Sequence, residues 1–86
     1  MATILPLMIQ LIVEVVGWAG MLLYVVAYTL VSSGRTSGTS QTYQLMNLAG
    51  AVGVATNAIY YGAYPSAVVN VIWFAIAATT LSRMER

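Results

Sequence analysis

Few side chains in this 86-residue sequence can do chemistry. Glu14 is the one charged group inside an apolar run, and Asn47, Asn57 and Asn70 are amides set among aliphatic neighbours. Tyr24, Tyr28 and Trp73 add flat rings with a polar edge. An amide both donates and accepts hydrogen bonds and a ring offers a stacking face, a combination that binds small polar molecules rather than breaking them. Cys, His, Asp and Lys are absent, so disulfides, zinc centres, His-based acid–base pairs and Ser-His-Asp triads cannot be assembled within one chain. The expectation is no enzyme activity, no cofactor and no metal.

These groups sit in a chain that is 60% hydrophobic and 6% charged, with a mean hydropathy of +0.86. Soluble surfaces carry about a quarter or more charged residues, so a soluble globular domain is excluded. Three scattered arginines without a lysine exclude nucleic acid as a partner. Residues 1–86 therefore read as a single integral membrane domain in the lipid bilayer, an all-α bundle of three transmembrane helices.

A transmembrane helix needs roughly 20 apolar residues. At 1.5 Å per residue, segments 43–61 and 65–82 are about 27–28 Å long, but the first run, 4–31, would be about 42 Å. Its membrane core is expected near 13–31, with residues 3–12 an interfacial extension and Pro6 in the first helical turn. That extension lacks the positive charge and cleavage site of a secretory signal. Segment 32–42 is a Gly/Ser/Thr connector in which Thr39 or Ser40 caps the next helix. Residues 62–64 link the second and third spans, with Gly62 just past a helix end and Pro65 opening the next. Arg35, Arg83 and Arg86 all fall on the side of the long connector and the C-terminus, which the positive-inside rule makes cytoplasmic, with the N-terminus outside.

The polar residues within the spans follow a helical rhythm. Tyr43, Asn47, Gly50, Val54, Asn57 and Tyr61 are spaced by four and three residues alternately, which keeps them on one face. Ser66, Asn70, Trp73, Ala77 and Thr80 do the same in the third span, and Gln10, Glu14, Gly17, Met21, Tyr24, Tyr28 and Val31 in the first. Two readings stand. The faces are packing seams, with Ala49 and Gly53 as a small-residue pair, or they line a hydrated or ligand-holding path. Glu14 likewise reads either as an interfacial group reaching water or as a coupling residue, and its place near the outer boundary favours the first.

Tyr61-Gly62, Pro65 and Asn70, in a layout of a long first loop and a short second link, resemble the semi-SWEET half-transporters of the PQ-loop class. The runs Val16-Gly17-Trp18-Ala19-Gly20, Tyr43-Gln44, Asn47-Leu48-Ala49-Gly50-Ala51 and Pro65-Ser66 are closer to a family of small, uncharacterised bacterial three-helix membrane proteins. This resemblance covers nearly the whole chain from Val13 on. It implies a bacterial inner (plasma) membrane location, a semi-SWEET-like bundle that dimerises to six helices, and a ligand contact at Asn70. The semi-SWEET Pro-Gln pair is missing: Ala27-Tyr28-Thr29-Leu30 closes the first span, and Ala58 stands where the sugar-stacking Trp belongs.

Two functions follow as expectations. The first is a half-size transporter, two copies enclosing a midplane path lined by Tyr24, Tyr28, Asn47, Asn57, Asn70 and Trp73, which moves a small neutral polar solute by uniport. Gly50 and Ala77 are then expected at the face that meets the second copy. The alternative is an accessory subunit of a larger respiratory or photosynthetic type membrane complex, with the stripes as seams. The topology has a direct check: single cysteines at Ser37 and Ala63 should react with a membrane-impermeant thiol reagent from opposite sides. Labelling of both from one side would end the three-span reading.

Overall fold

The computed structural model describes residues 2–84, so Glu85 and Arg86, the third arginine of the charge count, lie outside the described residues. Three helices follow in order: α1 (Ile4–Ser32), α2 (Gln41–Tyr60) and α3 (Tyr64–Met84). From Ile4 the segment expected as an interfacial extension continues into the first span without a break, and α1 runs for 29 residues. Pro6 falls in its first turn, where a missing N–H removes no intrahelical bond.

Local sequence accounts for each break. After α1, Gly34 takes φ +78° and its N–H bonds the Val31 carbonyl at 3.1 Å, while the Arg35 N–H reaches Leu30 at 2.9 Å. These bonds satisfy carbonyls left open at the helix end, and glycine adopts the left-handed geometry without a side-chain clash. Of the two expected caps, Ser40 does the work: its Oγ accepts from the Tyr43 N–H at 3.1 Å and from the Thr36 hydroxyl at 2.8 Å. Gln44, buried one turn into α2, donates to the Gly38 carbonyl at 2.7 Å and ties the connector to the bundle. Gly62, at φ +73°, ends α2 as expected. The link is 61–63 instead of 62–64, the same length shifted by one residue, since Tyr64 is already helical and Pro65 is the second residue of α3.

Helix α2 packs against both α1 and α3, whereas no Cα of α1 lies within 8 Å of one in α3 among the described residues. The molecule is elongated, 50 × 22 × 22 Å. Its core is made of small residues: Val13, Gly20 and Ala27 from α1, Gly50, Ala51, Gly53 and Ala58 from α2, and Ala67 and Ala77 from α3. No large side chain is fully buried among the described residues, and Leu, Ile, Val and Trp side chains point outward instead. α1 and α3 are each long and apolar enough to cross a membrane; α2, which carries Gln41, Gln44, Asn47 and Asn57, falls short on hydropathy.

The α1–α2 seam is a glycine contact. A β-carbon on Gly53 would lie 2.6 Å from the Val16 carbonyl oxygen, and one on Gly20 would lie 2.8 Å from the Gly50 carbonyl oxygen. The expected pairing of Ala49 with Gly53 is corrected here: Ala49 is exposed, and Gly50 takes the inward position. The two residues differ by about 100° around the helix, and only one faces α1. Gly53→Val should lower stability by about 1–3 kcal/mol, because the added carbons meet backbone that cannot step aside. Ala49→Val should leave the thermal midpoint, followed by circular dichroism in detergent, nearly unchanged. Equal midpoints for both variants would contradict this seam.

Candidate functional site

The three asparagines have different surroundings, although each is one residue of a similar stripe. Asn57 lies against Gly17, where a β-carbon would fall 2.4 Å from its amide nitrogen, and donates to the Val13 carbonyl at 3.1 Å. Gly17 is the space that lets this amide lie flat on α1. Asn70 is 5% exposed; its Nδ2 donates to Ser66 at 2.8 Å and its Oδ1 accepts from the Tyr24 hydroxyl. The Tyr24 ring reaches that far because it crosses Gly50, where a β-carbon would meet the ring at 2.9 Å. This bond joins α1 to α3 across a gap their backbones do not close. Asn47 makes no side-chain hydrogen bond among the described residues and remains half-buried.

Two open cavities meet at Tyr24. One, of about 290 Å³, is lined by Gly17, Trp18, Met21, Tyr24, Val54 and Asn57. The other, of about 200 Å³, is lined by Tyr24, Tyr28, Tyr43, Asn47 and Trp73. Four of the six residues expected to form a site, Tyr24, Tyr28, Asn47 and Trp73, thus converge from three helices on one cavity, and Asn57 lines its neighbour. Asn70 lies on the far side, beside a third cavity formed with Ala51, Val52 and Phe74, and meets the others only through Tyr24. Tyr43 lines the aromatic cavity and was not among the expected site residues; its four-residue spacing from Asn47 was the available signal. Gly50 and Ala77, expected at an outer face, are buried inside the chain's own seams.

At the other end of the bundle Glu14 accepts a hydrogen bond from the Tyr61 hydroxyl. The Tyr61 ring also meets Tyr60 edge-on, with centroids 5.0 Å apart. The carboxylate is thereby engaged at the turn that joins α2 to α3, ten residues and about 15 Å along α1 from Tyr24.

The model of an uncharacterised protein family matches residues 13–86. The chain belongs to that family. The matched segment starts at Val13, the first buried residue of α1, and includes every residue of the two cavities. Neither a curated protein nor a solved structure matches the chain.

The Tyr24–Asn70 bond should behave as a coupled pair. Tyr24→Phe and Asn70→Leu should each destabilise the fold, and the double variant should lose less than the sum by about 0.5–2 kcal/mol. A double-mutant cycle on thermal or denaturant unfolding measures this. Strict additivity would mean that the two side chains do not interact in solution.

Proposed function

We propose that the chain is one half of a membrane carrier: three helices cross the bilayer, and two copies related by an axis along the membrane normal enclose a path for a small polar solute. The observation that carries this reading is the convergence of Tyr24, Tyr28, Tyr43, Asn47 and Trp73, from all three helices, on one cavity that is open along its side. A wall on one side only is what half of a site requires. Tyr28 at 70% and Trp73 at 52% exposure are the surfaces a second copy would cover.

Membrane insertion is supported by the inverted arrangement of side chains. In water, bulky apolar groups gather inside; here the interior is glycine and alanine, and Leu45, Val52 and Ile59 form the outer face of even the most polar helix. Three threonine hydroxyls along the spans are bonded to their own helix, Thr29 to Val25 at 2.7 Å, Thr56 to Val52 at 2.7 Å and Thr80 to Ile76 at 2.8 Å. Such internal satisfaction is what a hydrocarbon surrounding demands.

In this reading Asn57 and Asn70 shape the path, while Asn47 and the rings contact the solute. Because Gly50 and Ala77 are internal, cysteines at Met21 and Val25, exposed on the side of α1 that carries Tyr28, are the positions to crosslink. They should join identical chains in the native membrane. Crosslinks that instead capture other subunits in fixed stoichiometry would replace the carrier by the accessory-subunit reading. In reconstituted vesicles given a panel of labelled small polar solutes, Asn47→Leu should reduce uptake to background, whereas Glu14→Gln should leave most of it. The reverse ranking would make Glu14 a coupling group and defeat uniport.

A further inference from the structure

The smaller cavity is chemically specific. Four of its five lining residues are aromatic, Tyr24, Tyr28, Tyr43 and Trp73, out of nine aromatic residues in the chain. The fifth, Asn47, brings an amide with no internal hydrogen-bond partner among the described residues. Charged side chains are absent from the lining; Arg35 on the connector and Arg83 in the last turn of α3 lie at the same end of the bundle but do not line the cavity. We propose that this cavity is a binding site for a small organic cation whose charge is carried on an alkylated nitrogen, of the trimethylammonium type.

Three alternatives compete, and each meets a physical objection. An anion would find neither a guanidinium nor an ammonium group to balance it in a region of low dielectric. A polyhydroxylated solute needs a partner for each hydroxyl once water is removed, since every unpaired group costs about 1–3 kcal/mol. The cavity provides one free amide and the hydroxyls of Tyr28 and Tyr43, because the Tyr24 hydroxyl already donates to Asn70. A purely apolar ligand would leave the Asn47 amide facing it unpaired. An alkylated ammonium escapes the first two objections, because its charged group asks for no hydrogen bonds, its methyl groups fill apolar space, and its positive charge is attracted to the negative faces of the rings and to the amide oxygen. The third is met by the oxygen that choline and its phosphodiesters carry two carbons from the nitrogen, which can accept from the Asn47 amide.

Size and position agree with that class. The cavity, of about 200 Å³ and open along one side, has room for a small alkylated ammonium group. The cavity also lies near the connector end of the bundle: Tyr28 is four residues from the end of α1 and Tyr43 is the third residue of α2. A trimethylammonium group could reach it either as a free solute or as a lipid headgroup, and both present the same chemistry to the rings.

This inference names the ligand class of the cavity in the carrier reading, but binding can be measured without transport. The full chain in nanodiscs of phosphatidylglycerol is titrated with tritiated choline, and with 3,3-dimethylbutan-1-ol, its uncharged isostere, as competitor. Saturable choline binding is expected, with the isostere weaker by about tenfold or more. Trp73→Leu and Tyr43→Leu, on different helices, should each weaken choline by about tenfold, and Tyr64→Leu, at an exposed ring outside both cavities, should leave it unchanged. Thermal melting confirms that the variants are folded; if one fails to fold, the other decides. Equal binding of the neutral isostere, or choline binding indifferent to both substitutions, would overturn the proposal. Phosphatidylcholine that competes with choline identifies the lipid headgroup as the source of the cation, and its failure to compete identifies the free solute; both outcomes support the site. Choline that binds without being taken up into vesicles would refute the carrier and keep the site. Trp73-dependent uptake of a neutral solute, without choline binding, would do the opposite.

Discussion

The close approach of α1 and α2 at Gly20, Gly50 and Gly53 is the constraint on which the rest of the structure depends. With hydrogen in place of side chains, the backbone of α2 meets that of α1 so tightly that a β-carbon at Gly20 or Gly53 would fall within 3 Å of a carbonyl oxygen. Dispersion between the two backbones then does what bulky apolar burial does in a soluble core. The same approach leaves room for two larger groups at its edges. Asn57 lies over Gly17, and the Tyr24 ring lies over Gly50.

From these two placements comes the division of labour among the amides. Once Tyr24 crosses Gly50 its hydroxyl reaches Asn70, and a helix pair without backbone contact acquires a side-chain link. Asn57 binds the Val13 carbonyl and holds α2 against α1 at the other end of the seam. Both amides therefore work within the chain. Asn47 is left beside the aromatic cavity, whose lining is therefore four rings and a single amide rather than a set of amides.

Small residues inside and branched residues outside make sense only together. A core of Gly and Ala buries little apolar area, so the hydrophobic effect alone would hold such a bundle weakly in water. In hydrocarbon the comparison changes: outward Leu, Ile and Val are at no disadvantage, and close packing with a few hydrogen bonds decides association. That logic accommodates Gln44, Asn47 and Asn57 of α2, since this helix lies between the other two and turns these amides toward them or toward the connector.

Local signals in the sequence carried the number of helices and the breaks between them. Ser40 before a polar first turn, Gly62 ahead of Pro65, and the Gly/Ser/Thr connector each act through bonds or dihedrals within a few residues, so no distant partner is needed to read them. The alternation of three and four was equally legible, and it put Tyr24, Tyr28, Asn47 and Trp73 on faces that the packed helices bring to one cavity. Periodicity, however, fixes which residues share a face, not how far the neighbouring helix is rotated toward it. Whether Ala49 or Gly50 meets α1, whether Gly50 and Ala77 face inward, and which of three similar asparagines keeps a free amide were decided only when the helices packed. The physical reason is that a seam is chosen by the fit of two surfaces. Gly17, Gly20 and Val16 on α1 made Gly50, Gly53 and Asn57 the inward set on α2, and no single helix contains that information.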